Sequence, residues 1–167
     1  NYFAQMPAGT SNSPASFAFV FGGNGAQEYT PAGGTLRLYG SPFFGTIGNG
    51  VREAIYVNGN VEISGNITYA NHNWDNGSDP IDNIPSFYLV ATGNIYIDSN
   101  VSRLDGVYVA QPKPSGTDSG DIYTCYNSGT PSHRYAVGSI FGNCQNQLLV
   151  NGSFVAQQVY LDRSFGY

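Results

Sequence analysis

Apolar and polar positions along residues 93–111, GNIYIDSNVSRLDGVYVAQ, alternate with a period of two and then break at small polar residues. Ile95 and Ile97 share one face of an extended segment, Asp98-Ser99-Asn100 interrupts it, and Leu104-Asp105-Gly106 reads as a second interruption before Val107-Tyr108-Val109. Period-two alternation bounded by Gly, Asn, Asp and Pro predicts short strands and tight turns. The same signal recurs at 16–21, 35–39, 54–57, 61–63, 67–70, 87–91, 94–97, 107–110, 121–126, 148–150, 153–156 and 158–161. No stretch carries the 3.6-residue apolar period of a helix, so the chain reads as all-β.

The strand signals also resemble one another. GNVEISGNI (59–67) matches GNIYIDSNV (93–101), while GSFVAQQV (152–159) and GSPFFGTI (40–47) read as shortened versions. The apolar lead-ins IYVN (55–58), LVAT (89–92) and LLVN (148–151) precede three of them, and another Gly-aliphatic start falls at Gly106. The spacing is irregular, with one interval long enough for two repeats. This predicts a short, irregular β-solenoid, a parallel β-helix with loop insertions, whose inward aliphatics stack from rung to rung and whose corners turn on Gly, Asn or Asp. Its rival is an antiparallel β-sandwich or jelly roll, built from equally short strands. The organisation expected is an extended N-terminal arm with an aromatic strand over 1–21, then a single β-rich domain over 22–167. Two polar segments, 70–86 and 111–144, interrupt the strand pattern.

Composition narrows the class of function. Charged residues make up 10% of the chain, against roughly 25% in an ordinary soluble domain. The chain carries 22 Gly, 13 Tyr and 10 Phe, a profile opposite to that of a disordered segment. Net charge is −5, and the six basic residues stand singly, so no basic stripe exists to follow a phosphate backbone and no nucleic acid partner is expected. The most apolar segment, SFAFVF (16–21), is strand-sized and far short of the roughly 20 residues of a membrane-spanning helix. The opening at Asn1, without a leader, is the expectation for a processed mature form or an excised domain. Cys125 and Cys144 are the only cysteines, and their even count across a Gly/Ser/Pro-rich segment favours a disulfide over free thiols.

Few residues advertise chemistry. Asp98 and Asp105 are the candidates for a carboxylate pair of the kind that cuts polysaccharides, but their DSN and LDG settings read as corners, so no catalytic residue is assigned. DNGSDPID offers Asp75, Asp79 and Asp82 as weak calcium ligands, without the spacing or closing Glu of a calcium loop; no metal or other cofactor is expected. FGGNGAQE (21–28) lacks the signature of a nucleotide loop, and His72 and His133 have no partnered nucleophile. Asn66, Asn76, Asn100 and Asn151 each open an N-x-S/T triplet, which an Asn-rich chain also produces by chance. Tyr96, Tyr108 and Tyr123 stand where strand alternation points outward, which makes them candidates for an interface or for stacking on glycan.

From IPSFYLVATGNIYIDSNVSRLDGVYVAQ (84–111), through IYTC (122–125), to the stretch from Cys144 to Arg163, the chain resembles exported surface proteins of candidate-phyla-radiation (Saccharibacteria-like) bacteria. The likeness runs over about residues 54–165. It implies an exported cell-surface protein with a β-solenoid-like repeat, and it brings no catalytic residues. Bactofilin-type and pilus-associated β-solenoids are similar in architecture alone.

These readings converge on an extracellular or cell-surface structural protein, not an enzyme. It is expected to assemble with copies of itself into a filament or pilus-like fibre, with Phe17, Phe19 and Phe21 supplying the added strand. The alternative is a surface adhesin that holds glycan or a protein on a host or neighbouring cell; a polysaccharide lyase or hydrolase ranks third.

Overall fold

The computed structural model describes residues 25–31, 34–38, 46–70, 83–114, 116, 118–130 and 132–164. Among these residues the chain forms β1 (Gly25–Tyr29), β2 (Thr35–Leu38), β3 (Thr46–Ile47), β4 (Arg52–Val57), β5 (Asn60–Ile63), β6 (Thr68–Tyr69), β7 (Ser86–Ala91), β8 (Ile95–Ile97), β9 (Arg103–Ala110), β10 (Ile122–Tyr123), α1 (Val137–Asn143), β11 (Leu149–Val155) and β12 (Val159–Tyr160). One five-stranded sheet has the order β1-β4-β7-β9-β11; a second runs β2-β5-β8-β10-β12, and β3 pairs with β6. The two large sheets keep the same order, so each successive pass of the chain lays one strand on each.

Every ladder between these strands is parallel. The antiparallel sandwich is therefore corrected. Hairpins join neighbouring strands directly, whereas here each strand returns to its neighbour only after crossing through the other sheet.

Register explains why the inward positions are aliphatic. Val61 pairs with Ile95, Ile95 with Ile122, and Ile122 with Val159. On the other sheet Ile55 pairs with Leu89, Leu89 with Tyr108, and Tyr108 with Phe154. Val61, Ile95, Ile122, Ile55, Leu89 and Tyr108 are each 0% exposed. Such a side chain contributes roughly 1.5–3 kcal/mol by leaving water. The Tyr108 ring lies edge-on to Phe87 at 5.9 Å and to Phe154 at 5.8 Å.

Corners are stitched by asparagine. The Asn94 amide N–H donates to Asn60 Oδ1 at 2.7 Å, and Asn94 Oδ1 accepts from the N–H groups of Gly120 and Asp121 at 3.0 and 2.9 Å. A side-chain oxygen thus satisfies main-chain donors of the next pass where the sheet ladder stops. A Cβ on Gly93 would lie 2.3 Å from Asn60 Oδ1 and 2.9 Å from the Gly59 carbonyl oxygen, which accounts for the Gly-Asn pair at this corner.

Several sequence expectations change. The matched repeats at 59–67 and 93–101 sit in adjacent passes in register, but Gly152 lies opposite Gly106, so GSFVAQ stacks on GVYVAQ rather than on GNIYI. LDG is not a corner: Asp105 and Gly106 lie inside β9. Likewise the expected break at Asn151-Gly152 is continuous strand. Gly106 (φ 120°) and Gly152 (φ 155°) bend together, and a Cβ on Gly152 would overlap the Gly106 carbonyl. The alternation signal missed β1 and β3, and α1 was not anticipated; seven residues are too few to display a helical period.

Candidate functional site

The outer face of the second sheet carries a continuous row of side chains. Register places Arg37 beside Glu62, Glu62 beside Tyr96, Tyr96 beside Tyr123, and Tyr123 beside Tyr160. Arg37 Nε meets Glu62 Oε2 at 3.1 Å. The Tyr123 and Tyr160 rings stack at 4.7 Å, and Tyr96 and Tyr123 are 5.3 Å apart. The middle of the row, Tyr96 and Tyr123, is not open to solvent. Tyr126 and His133 pack on Tyr96 at 4.7 and 4.8 Å, and the Arg134 guanidinium covers Tyr160 at 4.5 Å while forming a bidentate pair with Asp162. The segment after β10 folds back over the sheet to do this, closed by the Cys125–Cys144 disulfide that the cysteine count favoured.

This changes the reading of the tyrosines. Tyr108 is 0% exposed inside the core, and Tyr96 and Tyr123 are 4% and 8% exposed. Period-two alternation placed Tyr96 and Tyr123 correctly on the outer face but gave no sign that the insertion would cover them. Tyr108 lies inward because β9 begins at Arg103, so its inward positions are Leu104, Gly106, Tyr108 and Ala110. None of the three offers an open face for a sugar or a partner.

The two aspartates occupy different surroundings. Asp105 is 0% exposed; it pairs with Arg103 at 2.9 and 3.2 Å and accepts the Tyr69 N–H at 2.7 Å. Asp98 sits at a corner beside Glu62, and burial followed by the Glu62 charge pushes its carboxyl up to about 6. Asp105 is thus held inside the fold by the Arg103 ion pair and the Tyr69 main chain. A second perturbed carboxyl went unnoticed in the sequence. Glu53 is 2% exposed on β4, and burial pushes it up to about 7. Its place among apolar inward positions is set by register, which alternation alone does not weigh against charge.

Phe17, Phe19 and Phe21, and Asp75, Asp79 and Asp82, lie outside the described residues, as do Asn76 and His72. Among the described residues no three acidic, His or Cys side chains gather as metal ligands, and no helix is long and apolar enough to cross a membrane. Of the N-x-S/T asparagines, Asn66 is engaged: its Oδ1 accepts the N–H groups of Ser102 and Arg103 at 2.8 and 3.0 Å.

The last pass differs from those before it. Among the described residues β11 pairs only with β9 and β12 only with β10, as β1 pairs only with β4 and β2 only with β5, so each sheet ends in strands paired on one side only. The inward Val150 and Phe154 are half-buried, because no further pass covers them. Leu149, Val155 and Leu161 are 47%, 52% and 75% exposed. An apolar cavity of about 290 Å³ opens beneath this end, lined by Leu148, Val150, Phe154 and Leu161 with Thr124 and Arg163. The Arg163 guanidinium is spent on main-chain carbonyls, donating to Asp98 at 2.8 Å and to Ser99 at 2.7 Å. An unpaired edge and a half-filled core together form a surface that a further strand would complete.

No family model, curated protein or solved structure matches this chain.

Proposed function

We propose that the chain is an extracellular structural subunit, a short parallel β-solenoid that joins to further copies of itself by β-strand addition at its last pass. The observation that carries this reading is the open end: the seven-residue edge of β11 beside the exposed Leu149, Val155 and Leu161. A strand laid there would pair the free main-chain groups and cover Val150 and Phe154 in one step. The same-order parallel sheets support the solenoid, since stacking of passes is their common rule. Low charge and a disulfide support an exported setting, where thiols stay oxidised. On sequence grounds the incoming strand is SFAFVF, with Phe17, Phe19 and Phe21 on one face. Because donor and acceptor surfaces differ, the contact is head to tail and propagates into a fibre.

The test is negative-stain electron microscopy with sedimentation velocity on three proteins. These are the full chain, a deletion of residues 1–21, and a Val155→Lys/Leu161→Lys double variant. Fibres from the first and monomers from the other two are expected. A full chain that stays monomeric as its concentration rises overturns the proposal.

A further inference from the structure

A second concavity lies at the corner between β8 and β9, with Arg163 between it and the open-end cavity. It has a volume of about 320 Å³, within the range of small-ligand sites. Its walls come from two sources: Glu62 and the Asp98 corner belong to the sheet passes, whereas Tyr126, Asn127, Ser128 and Tyr135 belong to the disulfide-closed segment.

The frame of this cleft is rigid. Arg163 holds the Asp98 and Ser99 carbonyls from below, the Asp98 N–H donates to the Ile63 carbonyl at 2.9 Å, and the Tyr126 ring is packed against Tyr96. Asn127 Oδ1 accepts the Gly129 N–H at 2.9 Å, which leaves its NH₂ group as a donor. The functional groups that face the cleft are uncommitted in the same structure. Among the described residues, the Asp98 carboxylate and the hydroxyls of Tyr126, Ser128 and Tyr135 form no hydrogen bond within the chain. The cleft therefore presents a carboxylate acceptor, an amide donor and three hydroxyls able to do either, on a lining that is almost wholly polar.

That mixture selects a ligand class. A phosphate, sulfate or uronate needs a free cation, but Arg163 is directed to carbonyls and Arg37 is paired with Glu62. A metal ion needs a gathered set of acidic or imidazole ligands, and among the described residues none exists. A neutral sugar, whose hydroxyls each donate and accept, fits the polar groups present. We infer that this cleft binds a neutral saccharide unit, its hydroxyls read by Asp98, Asn127 and the hydroxyls of Tyr126, Ser128 and Tyr135. The cleft and the assembly-end cavity have no lining residue in common, although Arg163 of that cavity supports the Asp98 corner, so either reading can be tested without the other.

The experiment is binding of the full chain to arrayed cello-, malto-, xylo- and chito-oligosaccharides, with oligogalacturonates and sulfated glycans as contrast, followed by calorimetry on any neutral glycan retained. Asp98→Asn and Tyr135→Phe, checked for an unchanged melting temperature, are each expected to weaken that binding by at least tenfold. The Val155→Lys/Leu161→Lys variant is expected to bind as the parent does. Retention of no neutral glycan, retention of acidic glycans alone, or neutral-glycan binding that survives Asp98→Asn combined with Tyr135→Ala overturns the inference.

Discussion

Asn94 shows how single polar residues hold this fold at its corners. Its side-chain oxygen receives the N–H groups of Gly120 and Asp121, and its NH₂ donates to the Tyr96 hydroxyl at 3.0 Å. Asn94→Ala leaves two buried main-chain donors without partners, at about 1–3 kcal/mol each. The expected loss of about 3 kcal/mol is a fall in Tm of about 6–12 °C, measurable by calorimetry. Glu53 carries a pH signature. Its carboxyl binds a proton more tightly folded, at about 7, than in an unfolded chain, at 4.5. Its contribution to stability is thus complete below about pH 4.5, declines as pH rises, and is gone above about 7. Asp98, raised from 3.8 to about 6, acts with the same sign over a lower window. In Glu53→Gln, the decline in Tm between about pH 6 and 7 is expected to flatten while a slope at lower pH persists; an unchanged profile across a pH series means Glu53 does not titrate as described.

At the scale of elements, the disulfide and the strands bracketing it decide the outer face. The Cys125–Cys144 bridge closes a loop with a sequence separation of 19 residues and delivers Tyr126, His133 and Arg134 onto the tyrosine row. Loop-closure entropy for a ring of this size is worth about 3 kcal/mol. A Cys125→Ala/Cys144→Ala variant is expected to melt about 6–12 °C lower and to lose near-ultraviolet circular dichroism from the Tyr96–Tyr123–Tyr160 stack. Retention of that signal would mean the segment holds its place without the bridge. Legibility also divides at this scale. β5, β7, β8 and the 54–57 part of β4 were readable because their apolar residues fall on the inward positions, whereas the inward Glu53 at the start of β4 was not. The continuity of β9 and β11 was not, because Asp-Gly and Asn-Gly are the residues of turns, and only their side-by-side stacking makes them a shared bend.

At the scale of the whole molecule, the contrast between interior and last passes governs behaviour. Interior inward positions reach 0% exposure because passes cover them from both sides, whereas on the end pass the inward Val150 and Phe154 are only half-buried, with Val155 and Leu161 more than half exposed nearby. The proposed assembly through that end would be driven by apolar burial and main-chain pairing rather than by ion pairs. Fibre formation is accordingly expected to change little between about 50 and 500 mM NaCl, and to strengthen with ammonium sulfate. Light scattering across both salt series checks this, and dissolution of fibres in moderate NaCl would point to an electrostatic contact instead.

Local chain chemistry by itself determined that this protein is built from short strands and that Gly-Asn corners recur, and it favoured the bond between Cys125 and Cys144 that the structure shows. Each of those follows from periodicity, backbone tolerance or counting within a few residues. Tertiary structure alone decided that the strands pair in parallel, that Tyr108 turns inward while Tyr96 and Tyr123 are roofed over, that Asp105 is buried against Arg103, and that Asp98 faces a cleft. The physical reason is common to all four. Burial and pairing depend on which distant pass lies alongside, and a segment's own sequence does not carry its neighbour's register.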